Sequence, residues 1–245
     1  LVNENLGRAA KVANDQAEAC EETRFAMKRT VRLDVMISQL SNSLFLTATD
    51  TNAGKTFVAS RLVRAMRAKG IDAVGFKPLC CGGREDAESL HAANDGTLSL
   101  NEVNPVWLRP PVAPYAAAMM EGRTIDLELI RETFARLLAR HQAVLVEGVG
   151  GWRVPITRDY LVSDLAADFA LPVAVVVANR LGAINHALLT IEAVRARKLE
   201  CAGVILNRVS PEEDAAALTN RSVLEEVAAV PVLAEVNYGQ ETIAI

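Results

Sequence analysis

A chain of 245 residues, 51% hydrophobic and 23% charged, can bury a sizeable core, and one large α/β domain fits it better than two small ones. A formal net charge of -4 gives no overall pull toward nucleic acid or an anionic membrane, although a local basic pocket stays compatible with phosphate. Four cysteines, Cys20, Cys80, Cys81 and Cys201, lack both C-x-x-C spacing and the density of a secreted disulfide scaffold, which points to a reducing, cytoplasmic setting.

Residues 1–42 are polar and mixed in charge, with scattered apolar residues (Val12, Phe25, Met27, Val31, Val35, Ile37) that could line one side of a helix. They read as an N-terminal extension without an assigned role. The opening LVNENLGRAAKVAND lacks a basic segment followed by an apolar core, and no apolar run reaches the roughly 18–20 residues a membrane span requires. Neither an export signal nor a membrane partner is expected.

From Ser43 to the end, a single α/β domain is expected, because short runs rich in Val, Ile and Leu alternate with longer amphipathic stretches. The strand candidates are LFLTA (44–48), AVGFKP (73–78), AVLVEG (143–148), PVAVVVAN (172–179), AGVILN (202–207) and VPVLAEV (230–236). They are apolar nearly throughout, as strands covered on both faces must be. The stretch after the first strand places Phe57, Val58, Leu62, Val63 and Met66 on one side and ends on Gly70; comparable helical patterns fill 126–140, 160–170, 183–198 and 211–228. This order predicts a mostly parallel central sheet with helices on both faces. Ligands in such sheets sit at the carboxyl ends of the strands.

The first strand runs into ATDTNAGKT (48–56), a phosphate-gripping loop with Thr49 where the usual pattern places its first glycine. Gly54 remains for close approach, and Ala48 is a small neighbour. Backbone N–H groups and the helix dipole converge there on an anion, Lys55 reaches the outer phosphates, and the Thr56 hydroxyl suits Mg²⁺. At the second strand end, Lys77 emerges beside Pro78 before a Cys-Gly-Gly loop, placing a second ammonium near transferred phosphate. Asp86 stands at a helix start, as a metal ligand or as a cap. Glu147 ends the strand VLVE before Gly148, Gly150 and Gly151, where it either completes an oxygen set with Thr56 and Asp86 or bonds to the glycine-rich turn. At the fourth end, ANRLGAINHALLT, a Gly-Ala step opens a helix suited to a carboxylate or phosphate. His186 there reads as a packing or hydrogen-bonding residue. The adjacent cysteines Cys80 and Cys81 read as small loop residues, lacking companion ligands for a soft metal.

Five blocks in order, TNAGKT, FKPLCCGG, EDA, VEGVGGW and LGAINHA, resemble the dethiobiotin synthetase family from about Leu44 to Val236. The resemblance implies a P-loop NTPase-like homodimer that carboxylates and closes 7,8-diaminononanoate with CO2 and ATP. The products are dethiobiotin, ADP and phosphate, formed by way of a carbamate and a carbamic-phosphoric anhydride. It implies Lys77, Lys55 and Thr51 as catalytic residues and Thr56, Asp86 and Glu147 as Mg²⁺ ligands. The nucleotide would meet Asn52, Ala53, Gly54, Lys55, Thr56, Phe57, Asp86, Glu147, Gly148, Val149 and Gly150, with Asn207 and Arg208 at the adenine. Substrate would meet Cys81, and its distant carboxylate Gly182, Ala183, Ile184 and Asn185 of the opposite subunit. The chain departs from the family's usual pattern at Cys81 (commonly serine), Tyr115 (commonly histidine), Ala48 (commonly glycine) and Asn52 (often acidic). A partitioning-type ATPase switch usually carries an extra lysine early in its loop, which ATDTNAGKT lacks. A cobalamin-type amide ligase would need a glutaminase domain, and a noncatalytic nucleotide-binding module is the remaining alternative.

Overall fold

The computed structural model describes residues 43–212 and 214–243, so the N-terminal stretch 1–42 lies outside the described residues. Six parallel strands form the central sheet: β1 (Leu44–Ala48), β2 (Ala73–Phe76), β5 (Ala143–Glu147), β8 (Val173–Ala178), β9 (Cys201–Asn207) and β10 (Val232–Val236). Their order is β10-β9-β8-β1-β5-β2, which puts β1 at the centre between β8 and β5. Parallel neighbours require crossovers, and helices supply them: α1 (Lys55–Ala68), α2 (Glu85–Ala93), α5 (Leu127–Arg140), α6 (Val162–Phe169), α7 (Ala183–Ala196) and α8 (Ala215–Val227). All six strands expected from sequence are present.

Strand β2 shows how both faces are covered, since successive side chains point to opposite sides. A side chain at Gly75 would run into Leu90 of α2, whereas Phe76 lies against Phe134 of α5 and Phe169 of α6, with ring centroids 6.4 and 6.5 Å away. Phe134 and Phe169 stack at 4.0 Å, and Phe45 of β1 joins the same layer. Across the other half of the sheet, Val175, Val177, Val204 and Leu206 pack with Ile191 of α7 and Leu224 of α8. The outer edge of β2 is closed by Asn94, whose carboxamide accepts from the Gly75 amide at 2.7 Å and donates to its carbonyl at 3.0 Å. That pairing satisfies backbone groups an edge strand would otherwise leave open.

Helix starts follow from local chemistry. Asp126 accepts from the Leu129 amide to open α5, and Asp214 accepts from Ala216 to open α8. Gly70, at φ +81, follows the end of α1.

Several short elements went unread in the sequence: β3 (Leu79–Cys81) paired in parallel with β4 (Val106–Leu108), the turns of helix α3 (Leu100–Val103) and α4 (Pro114–Glu121), and the hairpin β6 (Pro155–Thr157) with β7 (Tyr160–Leu161). Three or fewer residues per strand give no periodicity to detect. Cys80 and Cys81 therefore belong to a strand, correcting their reading as loop residues, and β7 takes the first two positions of the stretch expected to be helical from 160. Strand β10 is half-exposed at Leu233, Ala234 and Glu235 because it lies at the sheet edge. The expectation of full burial fails there.

Candidate active site

The site forms where the central strands end. Register brings the parts together: Leu46 of β1 sits opposite Glu147, and Phe76 of β2 sits opposite Val146, so the next residue, Lys77, falls beside Glu147. Lys77 donates to Glu147 Oε1 at 2.5 Å, to Asp86 Oδ2 at 2.8 Å and to the Gly148 carbonyl at 3.4 Å. Thr56, the second residue of α1, donates its hydroxyl to the same Glu147 Oε1 at 2.6 Å. Lys77 and Glu147 are fully buried, while Asp86 is half-exposed. The Lys77 backbone is fixed from both sides, its amide donating to the Val103 carbonyl at 2.8 Å and its carbonyl accepting from Asn104 Nδ2 at 2.9 Å.

The loop Thr49–Gly54 is anchored at its base, where the Thr49 amide donates to Val176 at 3.0 Å. The amides of Asn52, Ala53, Gly54 and Lys55 donate to no group among the described residues. Four such donors at a helix N-terminus make an anion cradle. Asn52 and Gly54 both have positive φ, at 64° and 84°. A side chain on Gly54 would come within 2.1 Å of the Asn207 carboxamide, so this glycine meets both a conformational and a packing demand.

Charge in the pocket is balanced without being relaxed. Burial pushes the Lys55 ammonium down to about 8, with the Lys77 charge adding to the effect and the carboxylates opposing it. Burial also opposes the Lys77 charge, but Glu147 and Asp86 outweigh it and hold that ammonium above its ordinary value. Asp86 is desolvated too, yet Lys77 and the Thr56 hydroxyl keep its carboxyl below the usual range. Burial raises the Cys81 thiol to about 11, so it stays protonated and a weak hydrogen-bond donor near neutral pH. Glu147 Oε2 is buried with no hydrogen-bond partner, an oxygen suited to a hard cation.

These groups line one cleft of about 490 Å³. Thr51, Asn52, Gly54, Lys55 and Thr56 with Phe57 line its loop side; Lys77, Cys81, Asp86 and Glu147 its floor; and Val149 and Gly150 its rim. Ala53 is buried behind the loop, its carbonyl accepting from Asn207 Nδ2 at 2.9 Å, and Gly148 contributes only its carbonyl. Asn207, Arg208 and the Gly182–Asn185 turn are not among the lining residues; Asn207 meets the loop from behind, through Ala53 and Gly54. Asp86 does not cap its helix: Arg84 holds the N-cap position of α2, and the carboxylate points to Lys77 instead. Glu147 likewise bonds to Lys77 and Thr56 rather than to the glycine turn. His186 is exposed and its ring makes no hydrogen bond among the described residues, so neither part of its reading as a packing or hydrogen-bonding residue holds. Sequence reading missed the opposing wall, Pro111 to Pro114 with Val154. The run RPPVAP was the available signal, since closely spaced prolines fix a rigid loop.

Fold and site together define a P-loop nucleotide-binding α/β protein with a second, carboxylate-clamped lysine at the phosphate end. Residues 42–244 match the model of a family described as an AAA domain. The chain is 48% identical over 199 residues to the ATP-dependent dethiobiotin synthetase BioD of Akkermansia muciniphila, an alignment covering 81% of this chain and 93% of that protein. It is 49% identical over 175 residues to the protein of the same name from Anaeromyxobacter dehalogenans strain 2CP-C, covering 70% and 78%. Among solved structures, the signal recognition particle 54 kDa protein of Aeropyrum pernix, in complex with GDP, superposes with TM-score 0.53 at 14% identity. That likeness covers 83% of this chain and 43% of the other, and it speaks for the fold alone. The chain belongs to the ATP-dependent dethiobiotin synthetase family.

Proposed function

We propose that this chain converts 7,8-diaminononanoate, CO2 and ATP to dethiobiotin, ADP and phosphate. The observation that carries the reading is the convergence of Lys55, Thr56, Lys77, Asp86 and Glu147 in one cleft of a chain from this family. One substrate amine adds to CO2 and loses a proton to give a carbamate. A carbamate oxygen then attacks the γ-phosphorus as the bond to ADP breaks, and the second amine attacks the carbamoyl carbon, closing the ring and expelling phosphate.

Each step gathers negative charge near the phosphates. Lys55 and the loop amides counter it from one side and Lys77 from the other, in a buried setting where such interactions gain strength. Thr51, which lines the cleft beside the loop, would act at the outer phosphates. Thr56, Asp86 and Glu147 would hold Mg²⁺, and all three supply the hard oxygens it prefers. The bound ion would neutralise phosphate charge. Cys81 and the proline wall bound the space left for the diamine, and confinement of the amine beside the anhydride favours ring closure.

The reading extends to a homodimer. Gly182 to Asn185 would reach a second copy's substrate carboxylate, supported by Leu181, 81% exposed at that turn, and Leu218, 72% exposed on α8, whose N-cap Asp214 accepts from the Leu181 amide. A cytoplasmic setting fits the free thiols of Cys80, Cys81 and Cys201. No helix among the described residues is long and apolar enough to cross a membrane. The domain is taken as 43–245, with 1–42 as an extension. The test is incubation with ATP, Mg²⁺, bicarbonate and the diamine, followed by mass spectrometry for the cyclic urea. ATP turnover that ignores the diamine and bicarbonate would overturn the assignment.

A further inference from the structure

Beyond the phosphate end, the structure holds a second assembly at the edge of the nucleotide site. Arg61, one turn after Phe57 on α1, lays its guanidinium over the Phe57 ring with 3.4 Å to the centroid. It donates from Nε to the Gln240 carbonyl at 2.5 Å and from Nη1 to the Phe57 carbonyl at 3.2 Å. Gln240 belongs to a closed turn: its amide donates to the Asn237 carbonyl at 3.1 Å and its side-chain oxygen accepts from the Asn237 amide at 2.9 Å. This turn leaves the sheet directly after β10, where Val236 is registered against Asn207.

Asn207 ties the strand before this turn to the phosphate loop. Its Nδ2 is committed to the Ala53 carbonyl, which fixes the orientation of the carboxamide, because a carbonyl can only accept. That leaves Oδ1 buried and unpartnered, while Nδ2 is the atom that faces the loop glycine. A buried acceptor without a partner is costly unless a ligand supplies a donor. Phe57 lines the cleft on the same side. With phosphates on the loop amides beside Lys55, the nucleoside would run past Phe57 toward Asn207, which abuts Gly54, and the turn held by Arg61.

We infer that Arg61 is a positioning residue that clamps the Asn237–Gln240 turn beside Phe57 and Asn207, building one wall of the nucleobase subsite and setting both affinity and choice of base. The inference rests on the nucleotide reading above. A planar guanidinium is the group that can stack on a ring and donate sideways to a carbonyl at once, which an ammonium does not reproduce.

The experiment compares wild type, Arg61→Ala and Arg61→Lys for ring closure with ATP, GTP, CTP and UTP, and follows hydrogen exchange across 237–242 with and without ADP. Arg61→Ala should raise KM for ATP about tenfold, the worth of one charge-assisted hydrogen bond, with kcat within about twofold. It should also narrow the preference among the four nucleotides. Arg61→Lys should resemble Arg61→Ala. ADP should protect the turn in wild type and not in Arg61→Ala. Unchanged KM, unchanged nucleotide preference and unaltered ADP protection in a folded Arg61→Ala would overturn the clamp, leaving Arg61 a packing residue. Wild type that turns over no nucleotide would instead sink the underlying reading, a result the variants cannot produce.

Discussion

Removing the Lys77 ammonium while leaving Glu147 in place isolates the physical claim at the centre of the site. Both side chains are out of solvent, at 3% and 0% exposure, so their attraction suffers little screening, whereas the Asp86 contact at 50% exposure is discounted. In Lys77→Met, Glu147 keeps only the Thr56 hydroxyl on one oxygen and nothing on the other. An orphaned buried charge of this kind costs about 3–5 kcal/mol. For a domain of this size that is a fall in Tm of roughly 6–20 °C. Adding Glu147→Gln removes the orphan charge and keeps an acceptor for Thr56, so the double variant should be more stable than Lys77→Met by more than about 1 kcal/mol. Calorimetry without nucleotide and with a chelator reads stability apart from ligand binding, and both variants should lose ring closure. Additive losses in the double variant, or a Tm for Lys77→Met within about 2 °C of wild type, would refute the idea that the pair is energetically coupled.

Lys55 predicts the opposite sign. Its folded value, about 8, lies below its ordinary one, so at pH 7 the protein bears the cost of a desolvated charge; Lys55→Met should abolish turnover yet raise stability by roughly 1–3 kcal/mol, read as a higher Tm. A phosphate ligand restores the preference for the charged form, so ATP binding should take up protons above pH 8 and weaken as pH rises further. Calorimetric titrations in buffers of different ionisation enthalpy at pH 7 and pH 9 check this, with uptake expected only at the higher value. Gly54→Ala combines a positive φ with a clash against Asn207, costing roughly 1–3 kcal/mol from backbone strain alone and weakening nucleotide binding, measurable as the ADP dissociation constant.

Much of this protein was determined by its sequence alone. The central strands are continuous apolar runs because both faces of a parallel sheet are covered, and that pattern is local. The loop ATDTNAGKT and the acid closing VLVE announce themselves because chemistry-bearing residues at strand ends interrupt an otherwise apolar text. Tertiary structure alone decided how those ends meet. That Lys77 lies between Glu147 and Asp86 depends on β5 sitting between β1 and β2, a pairing of residues 70 positions apart that no window of sequence contains. The ion pair of Asp86 with Lys77, the Pro111–Pro114 wall and the contacts of Arg61 were likewise out of reach. A carboxylate in a first helical turn, a proline run and a helix-surface arginine each suit several local environments, and only the packed neighbours select one.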